Sequence, residues 1–244
     1  MYLNQTERAQ LEKQVAAHQH EKYEIDIDLG FGNTLNGFIV NPKVMRPEKM
    51  VSSYLAKWLF FNQPYFKSKK VLDMGSGAGI QGIILGTFGA QSVTFADLST
   101  ASVQNTNENV SKFKLASKSN TLNGDLFENI TDKFDLIVFN HPFFSDHTYE
   151  ELLEVFSKEG KLNISRGKLI HRFFEDAKNH LNPNGTIIMP YFLPAGEINN
   201  PFVQAPKHGY EVIEKSIITI KTGLQLGPAA IYEIKPKNTN TQTN

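Results

Sequence analysis

The sequence predicts an α/β fold, a doubly wound sheet of seven mostly parallel strands with helices on both faces. Three observations lead to this prediction. From residue 70 onward, five short apolar runs alternate with helix-like stretches. Glycines cluster where the first of these runs becomes a helix. Two further apolar runs near the end of the sequence follow each other without a helix between them.

The composition narrows the possible functions. The 244 residues are 40% hydrophobic and 20% charged, which suits a protein with a full core. Cysteine is absent, which excludes disulfides and thiolate metal sites. Since 25 basic residues balance 25 acidic ones, sequence-independent binding to nucleic acid is disfavoured. The polar N-terminus and the lack of a long apolar run predict a cytoplasmic protein without a membrane partner. The oligomeric state stays open.

Residues 1–45 are predicted to form an extension outside the main sheet. Residues 4–21 are helix-like, with a thin apolar face. Polar and apolar residues alternate within Tyr23 to Val40, with Gly and Asn between the alternating runs, which predicts a β-hairpin.

The main domain is predicted to span residues 46–236. Its first helix has Pro47 at the first helical position and an apolar stripe from Met50 to Leu59. The polar, low-complexity residues 237–244 are predicted to be a disordered tail.

The strands of the sheet are predicted from apolar runs. The clearest helix between them is SRGKLIHRFFEDAKNHL, with Ser165 as its N-cap and Asn182 to Gly185 as its stop. The last two runs predict an antiparallel hairpin at the sheet edge. In chain order, the seven predicted strands are VLDM, SVTFAD, KSNTLNGD, FDLIVFN, GTIIMPY, EVIEKSIITIK and AAIYEIK.

The first strand ends in a glycine turn, VLDMGSGAGIQG. Gly75, Gly77 and Gly79 allow a sharp bend and the close approach of a ligand. The dinucleotide fingerprint requires a small residue where this chain has Ile80. Asp73 is expected to point its carboxylate at the ligand, which suits a cation better than a pyrophosphate. The turn therefore favours S-adenosylmethionine, a sulfonium without phosphate.

Two acids follow at the ends of the next strands. Asp97 is expected to hold the ribose hydroxyls, and Asp125 to lie near the adenine amine. A glycine-rich turn is often only a turn, and strand-end acids often cap helices. Three such signals in order, one strand apart, favour a cofactor site. The other residues predicted to bind the cofactor are Ser76, Leu98 and Leu126.

The predicted strand FDLIVF runs directly into Asn140, His141, Pro142 and Phe143. Together with VLDMGSGAGIQGI, FADLS and GDLFENI, this segment resembles the motifs of class I methyltransferases. More narrowly, it is similar to the branch that methylates amide or amine nitrogens. This branch includes release-factor glutamine, adenine-amine and ribosomal-RNA guanine-amine enzymes. Their fourth motif is Asn/Asp-Pro-Pro-Tyr/Phe, which here has His141 in place of the first proline. VNPKVMRPEKM also resembles the glutamine enzymes, and the resemblance covers roughly residues 36 to 190.

The resemblance implies a Rossmann-like methyltransferase sheet and a role for each residue of the motif. The side-chain oxygen of Asn140 and the carbonyl of His141 would accept the two N–H hydrogens of a planar nitrogen. Phe143 would stack on the planar group, next to the retained Pro142, and Asn140 would also contact the cofactor. The expected cofactor is S-adenosylmethionine. The expected substrate is a small molecule or a protein glutamine-like group, with nucleic acid ranked lower.

His141 leaves other interpretations open. Its imidazole is a candidate general base, since its ordinary pKa is near neutrality, and this role suits a small-molecule O- or N-methyltransferase. It is equally a candidate for a neutral packing variant. A non-catalytic protein that binds S-adenosylmethionine as a scaffold is a third possibility. His141, Asp146 and His147 do not make up a complete metal site, so no metal is predicted.

Overall fold

The computed structural model describes residues 8, 9, 12, 16, 19–48, 50–144, 146, 167–222 and 225–237. Helices α1 to α5 are Met50–Phe61, Ile80–Thr87, Thr100–Lys112, Lys168–Ala177 and Pro201–Gln204. Strands β1 to β9 are Tyr23–Gly30, Asn33–Val40, Lys70–Met74, Ser92–Asp97, Ser119–Asn123, Phe134–Phe139, Leu181–Phe192, Tyr210–Thr222 and Gln225–Pro236.

Seven strands form one sheet in the order β5-β4-β3-β6-β7-β9-β8. β3 to β7 are parallel, and β9 pairs antiparallel with both β7 and β8. The central strands are almost fully apolar because helices cover both faces, and Val71, Leu136 and Ile187 are completely buried. The predicted α/β fold and its antiparallel C-terminal hairpin are confirmed. Because the carboxyl ends of β3 to β6 meet at one edge, the polar residues that end these strands are brought together there.

β1 and β2 form a separate two-stranded antiparallel hairpin, as predicted. Buried amide side chains of α3 bind the backbone at the end of β2. Asn109 Oδ1 accepts from the Ile39 N–H at 2.9 Å, and its Nδ2 donates to the Ile39 carbonyl at 2.8 Å. Asn105 Oδ1 accepts from the N–H of Asn41 at 2.8 Å. These side chains satisfy backbone groups that lack a partner strand.

Helix α1 begins at Met50, so Pro47 lies in a turn before the helix and not at its first position. The predicted apolar stripe is present, with Val51, Leu55 and Leu59 buried. At the first residue of β1, Tyr23 donates to both carboxylate oxygens of Glu48 at 3.0 Å. This bond ties the hairpin to the turn before α1.

Helix α4 differs from its prediction at both ends. It begins at Lys168 after Gly167, whose φ of 80° is left-handed, and the predicted N-cap Ser165 lies outside the described residues. The α-helix ends at Ala177, and a 3₁₀ turn, Lys178–His180, continues it to the start of β7, so the predicted stop at Asn182 to Gly185 lies within the strand. Strand pairing is the reason, because Leu181 already pairs with Phe134.

Two predicted terminal segments lie largely outside the described residues. Within 4–21, the described residues 8, 9, 12 and 16 are helical, and of the predicted tail only Lys237 is described. The domain boundaries at residues 45 and 236 stay predictions. In the part of the chain that the structure describes, no helix is long and apolar enough to cross a bilayer.

Candidate active site

The glycine turn joins β3 to α2 and opens towards the crevice at the sheet edge. Gly75, Gly77 and Gly79 have φ values of 60°, 57° and 87°, which residues with a side chain rarely adopt. A Cβ added to Gly77 would meet no atom within 4 Å, so the space above the turn is open. Ser76 is buried instead, and its hydroxyl lies 3.2 Å from Thr106 Oγ1, which donates to the Gly77 carbonyl at 3.0 Å. Ser76 therefore stabilises the turn from its buried side.

Asp73 lies behind the turn as well. It is 2% exposed, and its Oδ2 accepts from the Gly82 N–H in the first turn of α2 at 2.8 Å. Burial raises the pKa of Asp73 to about 8, and the charge of Asp97 adds to this shift. The described bond of Asp73 is therefore to the helix, and its contact with the ligand stays a prediction.

Asp97 ends β4 beside the open turn. Its Oδ2 accepts from the Gly77 N–H and its Oδ1 from the Ser99 N–H, both at 2.8 Å. A carboxylate accepts several hydrogen bonds on its two oxygens, so Asp97 is an acceptor of the kind that binds hydroxyl groups. Leu98, the next residue, is 48% exposed. An acceptor pair beside an exposed apolar side chain fits the ribose diol and the adenine ring of S-adenosylmethionine.

Asp125 follows β5 and has a partner that the sequence did not indicate. Its carboxylate pairs with Arg172 of α4 at 2.8 Å, and the two side chains are 38% and 51% exposed. Leu126 has a left-handed φ of 51°, and its side chain packs in the core. Its contact with the cofactor stays a prediction. No sequence signal marked Arg172, because it is separated from Asp125 by 47 residues.

Asn140 directly follows β6, and its amide is oriented by helix α1. Its Nδ2 donates to Ser52 Oγ at 2.7 Å. Among the described residues no hydrogen bond uses Asn140 Oδ1, and this oxygen is not buried. The group left for a ligand is thus an acceptor. The sequence did not indicate Ser52 as a partner, because it lies on α1, 88 residues from Asn140.

His141 is buried, and its imidazole contacts Asn199 and Tyr191. Its Nε2 donates to the carbonyl of Asn199 at 2.7 Å, which places the proton on Nε2 because a carbonyl oxygen can only accept. The ring stacks on Tyr191, with ring centroids 5.7 Å apart and an interplanar angle of 12°. Burial lowers the pKa of His141 to about 4, so the imidazole is neutral near pH 7.

The rest of the motif is divided between surface and core. Pro142 is exposed, whereas Phe143 is 7% exposed and packs edge-on against Tyr191 with ring centroids 5.1 Å apart. Most of the Phe143 ring is covered by the protein, and its role as a stacking wall stays a prediction. Its carbonyl accepts from Asn199 Nδ2 at 3.0 Å. Asn199 is a second residue that sequence reasoning missed.

A metal site is not formed by the described residues. No group of three His, Cys, Asp or Glu side chains within the described ranges could hold an ion. Asp146 Oδ2 accepts from the Lys168 N–H at 2.9 Å, and His147 lies outside the described residues.

The sheet order, with a glycine turn after β3 and acceptors at the ends of β4 and β6, agrees with the class of S-adenosylmethionine-dependent methyltransferases, which the family match and the relatives below show. The sequence model of the methyltransferase small domain matches residues 51–196, more than half of the chain. The chain belongs to this family.

Curated relatives of the chain act on different substrates. The release factor glutamine methyltransferase of Borreliella burgdorferi is 31% identical over 131 residues, 50% of this chain and 44% of that protein. The ribosomal RNA small subunit methyltransferase C of Haemophilus ducreyi is 34% identical over 132 residues, 51% of this chain and 33% of that protein. The chain thus matches less than half the length of either relative.

Solved structures share the fold at lower identity. A 16S rRNA N2 methyltransferase of T. thermophilus, solved with AdoMet and guanosine, has a TM-score of 0.60 and 20% identity, covering 89% of this chain and 51% of that chain. A putative RNA methyltransferase from Pyrococcus horikoshii has a TM-score of 0.58 and 18% identity, covering 95% of this chain and 98% of that chain.

Proposed function

We propose that the protein transfers a methyl group from S-adenosylmethionine to a planar amide or amine nitrogen held by Asn140. The observation that carries the proposal is the hydrogen bond from Asn140 Nδ2 to Ser52 Oγ at 2.7 Å. It leaves Oδ1 as the polar group at the end of β6, next to β3 and the glycine turn. An acceptor there suits a substrate that offers N–H donors.

The chemistry follows from the weak nucleophilicity of such nitrogens. Their lone pair is delocalised into the carbonyl or the aromatic ring, so catalysis depends on positioning and electrostatics. Asn140 Oδ1 would accept one N–H, and the His141 carbonyl would accept the other. No hydrogen bond among the described residues uses this carbonyl. The two acceptors would favour the tetrahedral nitrogen whose lone pair points at the donor methyl.

The state of His141 argues against the general-base alternative. Its Nε2 proton is bonded to the Asn199 carbonyl, and its Nδ1 is buried without a described partner. Because burial lowers the pKa of His141 to about 4, the imidazole is a poor base at neutral pH. The nitrogen proton is released to solvent after the N–CH₃ bond forms and the S–CH₃ bond breaks.

The cofactor site is proposed from residues at the crevice. Asp97 would hold the ribose hydroxyls, Leu98 would cover the adenine face, and the open side of Gly77 would admit the methionine portion. Asp125 would reach the adenine amine only while sharing its carboxylate with Arg172. When bound, S-adenosylmethionine supplies the electrophilic methyl group.

The first candidate acceptor is the side-chain amide of a protein glutamine. A relative that is 31% identical is a release factor glutamine methyltransferase, and its name describes this chemistry. The second candidate is an RNA guanine amine, favoured by the 34% identical ribosomal RNA methyltransferase. The even balance of 25 basic and 25 acidic residues ranks the RNA second.

Methyl transfer to two defined acceptors tests the proposal. The protein is incubated with methyl-labelled S-adenosylmethionine and either a glutamine-containing protein fragment or a guanine-containing RNA, and the products are identified by mass spectrometry. The first prediction is that Asn140→Ala lowers turnover by about two orders of magnitude or more, because the lost interaction acts in the transition state. The affinity for S-adenosylhomocysteine should change little.

Asn120→Ala is the matched control, because Asn120 is an exposed asparagine on the edge strand β5. Methylation of an oxygen, or full activity of the Asn140→Ala protein, would contradict the proposal. Cofactor binding without transfer to either acceptor would favour the scaffold interpretation.

A further inference from the structure

Asn199 bonds to both sides of the exposed Pro142. It is 2% exposed and lies between β7 and α5. Its backbone carbonyl accepts from His141 Nε2 at 2.7 Å, and its side-chain Nδ2 donates to the Phe143 carbonyl at 3.0 Å. We call these two bonds, formed by His141, Phe143 and Asn199, the Asn199 clamp.

We propose that the Asn199 clamp positions the acceptor segment Asn140 to Phe143 and takes the place of a proline at position 141. A proline ring fixes φ within the chain itself. Histidine has no such restraint, so its backbone must be held from outside. The clamp holds it through the imidazole on one side and through the Phe143 carbonyl on the other. This inference rests on the proposed function, in which the His141 carbonyl accepts a substrate N–H.

The orientation of both clamp side chains is determined by carbonyl acceptors. Because a carbonyl cannot donate, His141 must carry its proton on Nε2, and the Asn199 amide nitrogen must face Phe143. The flat stacking of Tyr191 on the imidazole fixes the ring from its face. The clamp is therefore a defined arrangement, without an alternative tautomer or amide flip.

The clamp leaves two acceptors without a partner. His141 Nδ1 and Asn199 Oδ1 are buried and have no hydrogen bond among the described residues. Buried unpaired acceptors are unfavourable, so stability alone would favour a residue without them at position 141. Retaining the imidazole is consistent with a positioning role.

Four variants distinguish the loss of the Asn199 clamp from a general loss of stability. His141→Ala removes the first bond, and Asn199→Ala removes the second. His141→Pro replaces the external restraint with an internal one, and it is also made together with Asn199→Ala. Asn179→Ala is the control, because Asn179 is an exposed asparagine after α4.

The first measurement is hydrogen exchange of peptides covering residues 136–144, which needs no substrate. As the second prediction, His141→Ala and Asn199→Ala should each raise exchange in this segment about tenfold, while the glycine turn 75–79 is unchanged. Both His141→Pro proteins should exchange close to the wild-type rate. The inference is overturned if the two alanine variants exchange like the control, or if the proline fails to restore protection in the Asn199→Ala background.

The second measurement is turnover with whichever acceptor, the protein glutamine or the guanine RNA, the methyl-transfer experiment identifies. The alanine variants should lose kcat about tenfold or more with little change in the KM for S-adenosylmethionine, and His141→Pro should restore kcat. Altered exchange with unchanged kcat would leave a structural clamp only and would overturn the positioning role. Altered exchange in a protein that methylates neither acceptor would instead count against the proposed function.

Discussion

Asp97 combines a structural and a proposed binding role in one carboxylate. At the residue scale, its two oxygens hold the N–H groups of Gly77 and Ser99, so it joins the glycine turn to the start of α3. Ser99 in turn caps α3 by accepting from the Ser102 N–H at 3.3 Å. In the proposed function the same carboxylate also binds the ribose diol, as a charged acceptor. The negative charge of Asp97 and the shape of its side chain are therefore expected to make separate contributions to cofactor affinity.

The third prediction separates these contributions. Asp97→Ala should weaken S-adenosylhomocysteine binding by about ten- to a hundredfold, because it removes charge-assisted hydrogen bonds. Asp97→Asn keeps the shape and one acceptor oxygen, so it should lose less affinity. Calorimetry measures both, with the exposed Asp132→Ala as control. An unchanged dissociation constant in Asp97→Ala would remove Asp97 from the cofactor site.

The sequence predicted which residues end the strands but not what their side chains bind. Strand-end position alone brings Asp97 and Asn140 to one edge, because parallel strands align their carboxyl ends. The partners Ser52 and Arg172 come from distant helices, 88 and 47 residues from the groups they contact. No local periodicity reports such distances, so the orientation of each amide and carboxylate had to come from the structure.

At the element scale, α3 links the hairpin to the glycine turn. Asn109 Nδ2 donates both to the Ile39 carbonyl at 2.8 Å and to the Ala78 carbonyl at 2.9 Å. Thr106 reaches the Gly77 carbonyl from the same helix. The buried face of α3 is polar, so a search for an apolar stripe could not have located it. The helix itself was predicted, but its packing role was not.

The fourth prediction concerns this link. Asn109→Ala should lower the free energy of unfolding by about 3 kcal/mol, because it leaves the half-buried Ile39 and the buried Ala78 backbone groups without their partner. Affinity for S-adenosylhomocysteine should also fall, since Ala78 belongs to the turn. Asn107→Ala, an exposed position on the same helix, is the matched control for denaturation and calorimetry. Equal stability of the two variants would show that the amide network contributes little.

At the scale of the whole molecule, two buried groups make stability depend on pH in opposite directions. Burial raises the pKa of Asp73 to about 8, so the folded state binds this proton more tightly than the unfolded state. Its contribution is present at low pH and is lost as the pH rises from about 4 to 8. Burial lowers the pKa of His141 to about 4, so the unfolded state binds that proton more tightly. Stability therefore falls as the pH drops from about 6.5 to 4.

The fifth prediction uses these opposite signs. Urea denaturation at a series of pH values should show that His141→Phe reduces the loss of stability between pH 6.5 and 4. Asp73→Asn should reduce the loss between pH 4 and 8. The slopes of ΔG against pH are compared with wild type, so a uniform loss of stability does not affect the test. Unchanged slopes in both variants would show that neither group titrates with a shifted pKa.

The architecture of the whole sheet was largely predictable, whereas several element boundaries were not. Alternating apolar runs and helices gave the parallel core, and the missing helix between the last two runs gave the antiparallel hairpin. The predicted stop signal of Asn182 to Gly185 lies within β7, because Leu181 already pairs with Phe134. Boundaries depend on tertiary pairing, which periodicity within one segment does not report.

The position of β9 has a consequence for biosynthesis. β9 follows β8 in the chain but lies between β7 and β8 in the sheet. In a nascent chain that has emerged from the ribosome only as far as β8, the edge of β7 is unpaired. β8 has no strand to pair with, because its neighbour in the sheet is β9. The sheet can close only after Gln225–Pro236 have left the exit tunnel. Until then the unpaired edge of β7 is exposed to chaperone binding and to aggregation with other chains.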